Sequence, residues 1–315
     1  MRNTVILLII LLSGIVADAQ PVDSLQLMND VKKLSSNEMQ GRKVGTKGSR
    51  KAQLYIIRRF EHIGLEQLYG TYEQPFFFSN QGRRIMGTNL MGYLKGKEDS
   101  WIIISAHYDH LGIRSEPVNG DSIYNGADDN ASGVAGLLAI AAYFKKHSPQ
   151  HNLLFVAFDA EEEGLQGSRA FVQTTGDLLK KVKLNLNMDM ISHSKKHELY
   201  ACGTRQFPRL KPLLQQADSD REITLRFGHD DPAAPKDNWV NQSDQGSFYR
   251  AGIPFIYFGV EDHPDYHRVT DEFKTITPSF FYHAVRVIIR AAVNLDHYGY
   301  LKLPPRNKWI MKSGD

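Results

Sequence analysis

Residues 101–106 read WIIISA and residues 152–159 read NLLFVAFD. Both are short apolar runs without the polar alternation of a half-exposed strand, so each predicts a strand that is buried on both faces of a sheet. The stretch between them at 133–147, GVAGLLAIAAYFKKH, has the length and apolar content of a buried helix. A buried strand, a helix and a second buried strand are typical of an α/β protein with parallel strands.

The same alternation continues along the chain. Two more buried strands are predicted at 182–190 and 253–259, and a strand pair at 72–94 turns at Asn80-Gln81-Gly82. The remaining predicted elements are helices at 22–36, 46–64, 166–175, 207–217, 243–251 and 278–297, and a strand at 223–227. This order predicts an α/β fold whose central sheet is mixed, mostly parallel and covered on both faces. In such sheets ligands bind at the carboxyl ends of the strands.

The composition is that of a globular protein. The chain has 315 residues, of which 42% are hydrophobic and 23% are charged, and this excludes disorder, collagen and coiled coil. A formal net charge of +3 gives no reason to expect a nucleic acid as partner. The single cysteine, Cys202, excludes an internal disulfide and a cysteine-rich zinc site, so we expect it to be structural. Twelve histidines direct attention to imidazole metal ligands instead.

The first residues predict an export signal. Arg2 gives a positive start, residues 5–12 read VILLIILL, and Ala17-Asp18-Ala19 forms a small-x-small cleavage site. The apolar run is far shorter than the roughly 20 residues that span a membrane. We therefore expect a signal peptide at 1–19, one domain over 20–315 and no membrane segment after cleavage. Export without disulfides favours a bacterial protein in the periplasm or outside the cell; the sequence does not choose between these two compartments.

Metal-binding residue types follow the predicted strands. His107 and Asp109 come directly after WIIISA, and their spacing places both side chains on one face of an extended chain. Residues 159–165 read DAEEEGL after the next strand, and Asp189 ends a third strand between two methionines. A carboxylate beside a histidine commonly orients a metal-ligating imidazole. A buried carboxylate between methionines costs free energy unless it is paired or bound to a metal.

Each motif also has a purely structural interpretation. Residues 126–133, GADDNASG, precede the long apolar helix, and Asp128 or Asp129 could cap it. The three acids at 161–163 could lie in a solvated loop. Together with His267 in the Asp-Tyr-His loop at 265–267, however, the motifs supply two histidines and at least three carboxylates.

This set of donors predicts a metal-dependent hydrolytic site. Two imidazoles and several carboxylate oxygens suit Zn²⁺, with Mn²⁺ or Co²⁺ as substitutes. One carboxylate shared between two ions gives a two-metal site with the ions roughly 3.5–4 Å apart. A further acid must then remain free to act as the general base.

Five motifs in this order resemble those of the M28 family of zinc aminopeptidases. They are His107-x-Asp109, GADDNASG, Asp159-Ala160-Glu161-Glu162-x-Gly164-Leu165-x-Gly167-Ser168, Asn187-x-Asp189-Met190 with Ser243-Asp244, and Tyr266-His267-x-x-x-Asp271. The resemblance covers roughly residues 85–295. It implies a three-layer α/β sandwich of the phosphorylase/hydrolase type, two Zn²⁺ ions, and peptide substrates with a free N-terminus.

The resemblance also implies a role for each matching residue. His107 and Asp189 would bind one zinc, Glu162 and His267 the other, and Asp129 would bridge them. Three further residues would act in catalysis: Glu161 as the general base, Asp109 by orienting His107, and Tyr266 by donating to the oxyanion. The family often has a cis peptide after the bridging aspartate, here Asp129–Asn130.

One departure and three alternatives remain open. Gln245 stands where the family often has a histidine. This position is not one of the five ligands, but the contacts that surround the ligands could differ from those of the family. Glutaminyl cyclases share the fold and much of the ligand set, but they use one zinc. A carboxypeptidase or dipeptidase needs an arginine for the substrate carboxylate, and Arg205 or Arg250 could supply it. A receptor-like binding domain of this fold would usually have lost ligands. The preferred N-terminal residue and the oligomeric state do not follow from the sequence.

Overall fold

A computed structural model describes residues 22–298, so the predicted signal peptide lies outside the described residues. Within this range an eight-stranded sheet has the order β1-β2-β6-β3-β7-β10-β8-β9, and a separate hairpin joins β4 and β5. The strands are β1 (Glu73–Asn80), β2 (Arg83–Leu94), β3 (Glu98–His107), β4 (Gly112–Val118), β5 (Asp121–Tyr124), β6 (His151–Phe158), β7 (Val182–Met188), β8 (Glu198–Cys202), β9 (Thr224–Phe227) and β10 (Phe255–Gly259). No helix in the described range is long and apolar enough to cross a membrane.

The sheet is mixed, with a parallel centre. Strands β6, β3, β7 and β10 run parallel to one another, as do β8 and β9. Strands β1, β2 and β6 are joined by antiparallel pairings, and β8 is antiparallel to β10. The predicted α/β class with a mixed, mostly parallel sheet is therefore confirmed.

Alternate residues of the central strands enter two different cores. In β3, Ile102 and Ile104 pack into the larger core, while Ile103 packs into the core on the opposite face. Strand β6 divides in the same way, because Phe155 belongs to the larger core and Val156 to the other. The period of two explains why both faces of these strands carry apolar residues and the sequence shows no regular alternation.

Helices cover both faces and complete three layers. Helices α1, α2, α3, α6 and α8 share the larger core, and α4, α5 and α7 pack on the other face. The helices are α1 (Ser24–Leu34), α2 (Lys47–Ile63), α3 (Gly133–Lys146), α4 (Gln166–Thr174), α5 (Asp177–Lys181), α6 (Lys211–Ala217), α7 (Gln245–Arg250) and α8 (Pro278–His297).

Several details differ from the sequence-based prediction, and α5 is a short helix that was not predicted. The hairpin β4–β5 was not predicted, although its Asn119-Gly120 turn is a strong hairpin signal with positive φ values of 52° and 83°. The helix expected at 207–217 begins as a 3₁₀ segment, Pro208–Leu210, because Pro212 at the start of α6 cannot donate to the preceding turn.

The parallel register aligns the carboxyl ends of the central strands. His107 pairs with Phe158, and Met188 pairs with Phe258, so β3, β6, β7 and β10 end at one edge of the sheet. The residues that follow these four strands therefore meet in space.

Candidate metal centre

His107, Asp129 and Asp189 form the first group of candidate ligands at this edge. His107 Nε2 lies 3.2 Å from Asp189 Oδ1 and 3.3 Å from Asp129 Oδ1. All three residues are buried. His107 ends β3 and Asp189 follows β7, so the sheet register alone brings two of the three donors together.

Asp129, Glu162 and His267 form the second group. His267 Nε2 lies 3.1 Å from Asp129 Oδ2 and 3.4 Å from Glu162 Oε2. The two oxygens of Asp129 thus face different histidines, Oδ1 towards His107 and Oδ2 towards His267. This is the orientation that a bridging carboxylate requires.

The spacing of these donors fits a metal ion. Zinc with ligands at about 2.0–2.1 Å in a tetrahedron separates neighbouring donor atoms by about 3.3 Å. The four imidazole–carboxylate separations in the two groups lie between 3.1 and 3.4 Å. Hydrogen bonds with Asp129 and Glu162 raise the pKa of His267 to about 10. The cluster of acids therefore favours a positive charge at this place.

His110 is a further member of the site that sequence reasoning missed. Its Nδ1 lies 2.7 Å from Glu162 Oε1 and 3.7 Å from Asp129 Oδ2, and its ring is buried. Glu162 therefore contacts His110 through one oxygen and His267 through the other. Only its position directly after the His-x-Asp motif could have indicated His110.

The carboxylate of Asp109 joins two of the ligand loops. Its oxygens accept the backbone N–H groups of Glu161 and Glu162 at 3.0 and 3.3 Å. Asp109 Oδ1 lies 3.6 Å from His107 Nδ1, whereas the carbonyl oxygen of Asp109 lies at 3.2 Å. Asp109 therefore contacts His107 as expected, but its shorter carboxylate contacts position the Glu161-Glu162 turn.

The backbone around Asp129 is held from two sides. Asp271 accepts the N–H of Asp128 at 2.9 Å and that of Asp129 at 3.0 Å. Asn130 donates to the carbonyl of Met188 at 2.9 Å and accepts the N–H of Gly133 at the start of α3. The Asp129–Asn130 peptide is cis, as the resemblance implied. Asn130, rather than either aspartate, supplies the capping contact to the helix.

A cavity of about 610 Å³ opens onto the candidate ligands. Glu161 lines it together with Met190, Trp239 and Tyr257, among others. Burial raises the pKa of Glu161 well above its usual range, and the charges of Asp189 and Asp244 add to this effect. The cavity is large enough for the end of a peptide and contains an acid with high proton affinity.

Residues 89–292 match the sequence model of Peptidase family M28. The chain belongs to this family. Among its relatives, aminopeptidase YwaD of Bacillus subtilis is 30% identical over 216 residues, which is 64% of this chain and 42% of the relative. Fungal relatives described as probable zinc metalloproteases include one from Pyrenophora tritici-repentis that is 34% identical over 179 residues, or 54% of this chain. The chain spans about two fifths of the length of these fungal relatives.

Two solved structures show the same fold. The aminopeptidase from Aneurinibacillus sp. strain AM-1 has a TM-score of 0.71 and 16% identity, covering 90% of this chain and 97% of that protein. The glutaminyl cyclase of Fimbriiglobus ruber has a TM-score of 0.72 and 19% identity, covering 87% of this chain and 96% of that protein. At such identities the likeness concerns the fold alone, which is common to both activities.

A buried arginine supports the ligand loops of this M28 site and was also missed in the sequence. Arg42 donates to the carbonyls of Tyr108 and Asn125 at 2.7 Å and to that of Gly126 at 2.9 Å. Burial lowers the pKa of Arg42 to about 10, and the charge of Asp129 opposes that shift. Arg42 therefore remains a cation that fixes the backbone on both sides of the site.

Gln245 fills its position in this M28 chain with one accepted and one donated hydrogen bond. Its Oε1 accepts from Asn187 Nδ2 at 3.0 Å, and its Nε2 donates to the carbonyl of Trp239 at 2.7 Å. Gln245 is buried and connects the end of β7 to the loop that carries Trp239. The departure from the family pattern thus lies beside the ligands and not among them.

The two candidate arginines occupy different places. Arg250 lines the large cavity, and its Nη1 donates to Asn241 at 2.7 Å. Arg205 pairs with Asp231 at 3.1 Å and does not line that cavity. Tyr266 also lines the cavity, with its ring stacked on His267 at 4.0 Å between centroids. Of the two arginines, only Arg250 is placed to meet a substrate in this cavity.

Proposed function

We propose that this chain is an exported zinc aminopeptidase with a dinuclear centre, which removes N-terminal residues from peptides. The observation that carries the proposal is the placement of Asp129, whose two oxygens face His107 and His267 separately. Zinc is supported by the relatives described as zinc metalloproteases, and aminopeptidase activity by YwaD. The export signal at 1–19 supports the location in the periplasm or outside the cell.

In this proposal five residues hold the ions. His107 and Asp189 would hold one zinc, Glu162 and His267 would hold the other, and Asp129 would offer one oxygen to each. His110 keeps one oxygen of Glu162 occupied, so that the other oxygen is directed to the ion. When bound, the zinc pair supplies Lewis acidity, which polarises the scissile carbonyl and lowers the pKa of the attacking water.

The protein groups then handle the protons and the substrate. The Glu161 carboxylate accepts a proton from the attacking water and delivers it to the leaving amine. The hydroxyl of Tyr266 donates to the developing oxyanion. The positive N-terminal amine of the peptide is attracted by the carboxylates that line the cavity, including that of Asp262.

A second candidate function rests on the arginines. Arg250 and Arg169 line the same cavity as Glu161. Burial lowers the pKa of Arg250, and the positive charge of Arg169 lowers it further. Two guanidinium groups suit a substrate carboxylate, as in a dipeptidase or carboxypeptidase. The cyclase alternative is supported only by the common fold, and a receptor-like domain is disfavoured because all five candidate ligands are present.

A substrate panel separates these functions. Aminoacyl-nitroanilides, N-acetylated aminoacyl-nitroanilides, free dipeptides and a peptide with N-terminal glutamine are each incubated with the enzyme, with and without a chelator. The proposal requires chelator-sensitive release from free aminoacyl substrates and none from acetylated ones. Hydrolysis confined to dipeptides would favour the arginine-based alternative. Pyroglutamate formation with one zinc per chain would indicate the cyclase.

A further inference from the structure

A second cluster of histidines lies outside the site described above. His193 is in the loop after β7, and His263 and Asp265 are in the loop after β10. The centroids of the two imidazole rings lie 4.0 Å apart, and the ring planes are tilted by 31°. Asp265 Oδ2 lies 3.8 Å from His193 Nδ1 and 3.9 Å from His263 Nδ1. One donor atom from each residue therefore converges on a common point.

Both Nδ1 atoms are buried and have no hydrogen-bond partner within residues 22–298. His193 is 6% exposed, and the side chain of His263 is 7% exposed. A buried polar atom without a partner is energetically unfavourable, so two of them side by side indicate a ligand. The Asp265 carboxylate oxygen that faces both atoms lies 3.8 and 3.9 Å away, which is too distant for a hydrogen bond.

Asp128 fixes the orientation of His263. Its Oδ2 lies 3.0 Å from His263 Nε2, and its Oδ1 accepts from the backbone and hydroxyl of Ser192 at 2.7 and 2.8 Å. Asp128 is fully buried, and its carboxylate accepts a hydrogen bond from the Nε2–H of His263. The lone pair of the neutral imidazole then lies on Nδ1 and faces the cluster. A carboxylate behind a histidine is the usual support of a metal-ligating imidazole.

We propose that His193 Nδ1, His263 Nδ1 and Asp265 Oδ2 form a separate binding site for a divalent transition-metal ion. Two imidazoles and one carboxylate are a ligand set for zinc and its first-row neighbours, and not for magnesium or calcium. The separations of 3.8 and 3.9 Å exceed the tetrahedral value of about 3.3 Å, so the donors close by about half an ångström around an ion.

The surroundings leave room for a fourth ligand. His193 and His263 line a cavity of about 190 Å³, in which a water can complete the coordination. Its other charged lining residues are Glu198, Glu261, Asp262, Lys195 and Lys196. Three acids and two ammonium groups leave the wall with one net negative charge, which does not oppose a cation.

An ion at this site would tie two catalytic loops together. The loop of His193 begins directly after the candidate ligand Asp189, and the loop of Asp265 continues into Tyr266 and His267. The ion would therefore act as a structural clamp that holds His267 in register with the end of β7. This role goes beyond the proposed peptidase function and does not depend on how many ions the site around Asp129 holds.

Zinc counting on the full chain tests the proposal. The native protein, Asp265→Asn and His193→Phe are equilibrated with Zn²⁺, freed of unbound metal, and analysed for zinc per chain. We expect each variant to contain one zinc less than the native protein, with at least about a 100-fold weaker affinity for that ion. His147→Phe is the matched control, because His147 is exposed at the end of α3, and it should keep the native content.

Two further measurements keep the outcome decisive. Asp129→Asn should contain less zinc than the native protein, because it disrupts the site around Asp129. Combining it with Asp265→Asn should remove one further zinc per chain. Added Zn²⁺ should raise the Tm of Asp129→Asn but not that of the double variant. Asp265→Asn preserves the size of the side chain, so it decides the matter if His193→Phe fails to fold. Equal zinc content in the native protein and Asp265→Asn would refute the clamp site and leave the proposed function untouched.

Discussion

The carboxylate of Asp109 accepts the backbone N–H of Glu161 at 3.0 Å. This bond connects the end of β3 with the turn after β6, and it sets the direction of both Glu161 and Glu162. Two neighbouring strands of the sheet thus share one positioning residue between the proposed base and a proposed ligand. Asp109 is fully buried and accepts a second N–H, that of Glu162, at 3.3 Å.

Replacing Asp109 by Asn should weaken both metal binding and turnover. The amide has one acceptor oxygen where the carboxylate has two, so one of the two N–H groups loses its partner. We expect zinc affinity and kcat/KM to fall by about 10–100-fold, the usual cost of removing a group that orients metal ligands. Asp177→Asn, an exposed change on α5, should leave both unchanged. Normal zinc affinity in Asp109→Asn would contradict the positioning role.

Glu161 and Glu162 are neighbours with different proposed roles, and two amide variants should separate them. Glu161→Gln cannot accept a proton, so turnover should fall by about 10²–10⁴-fold while zinc content stays normal. Glu162→Gln loses a charged ligand opposite His110 and His267, so it should lose metal, and added zinc should restore part of the activity. Metal titration and turnover are measured for each variant. The opposite pattern, with zinc lost only from Glu161→Gln, would exchange the two assignments.

Removal of the Arg42 guanidinium should destabilise the protein. Arg42→Met removes the guanidinium donor from the buried carbonyls of Leu34, Tyr108 and Asn125, while the carbonyl of Gly126 keeps the N–H of Ala131 at 3.2 Å. Since each unsatisfied buried group costs about 1–3 kcal/mol, the free energy of unfolding should fall by about 3 kcal/mol or more. Urea denaturation gives the value. Arg58→Met, at an exposed position of α2, is the matched control and should change it by less than about 0.5 kcal/mol.

Cys202 should be chemically silent in the native protein. Its thiol is buried at the end of β8 and donates to the carbonyl of His229 at 3.3 Å, and burial raises its pKa. A thiol reagent should therefore label the chain only after unfolding. Cys202→Ser keeps a donor for His229 and should retain zinc and activity. Rapid labelling of the folded protein, or metal loss in Cys202→Ser, would show that the thiol has another role.

Asp220 should contribute a pH-dependent part of the stability. It lies 2.9 Å from His283 Nδ1 and 3.3 Å from Arg290 Nη2, both on α8. Burial alone would raise the pKa of the Asp220 carboxyl. The contacts with His283 and Arg290 outweigh burial and hold this pKa below 3.8. A lowered folded-state pKa stabilises the fold above the unfolded value, and this contribution is lost as the pH falls through the folded value.

Asp220→Asn should accordingly be less stable than the native protein at pH 7, by about 1 kcal/mol. The difference in the free energy of unfolding should narrow as the pH falls below about 4, because the native carboxylate then becomes protonated and neutral. Thermal unfolding of the two proteins across this range gives the comparison. Metal release at low pH affects both proteins and cancels in the difference. A difference that grows towards low pH would mean that the sign of the pKa shift is wrong.

Much of the fold could be predicted because the apolar runs in the sequence coincide with strands that are buried in the structure. Runs such as 101–106 and 152–159 are mostly apolar without regular polar alternation, which is the pattern expected of a strand between two cores. The hairpin β4–β5 was not predicted, although its Asn119-Gly120 turn was present, because the flanking strands are short and partly exposed and carry no apolar pattern.

The sequence by itself determined the fold class, and the resemblance of its motifs to the M28 family supplied the candidate ligands. Tertiary structure decided the rest. Arg42 and His110 join the site through contacts across the fold, and Arg42 lies 66 positions before its partner Tyr108. The two neighbouring aspartates, Asp128 and Asp129, face different clusters because the backbone between β5 and α3 directs their side chains apart. Sequence order records only which donors exist, whereas metal binding depends on which donor atoms meet within a few ångströms.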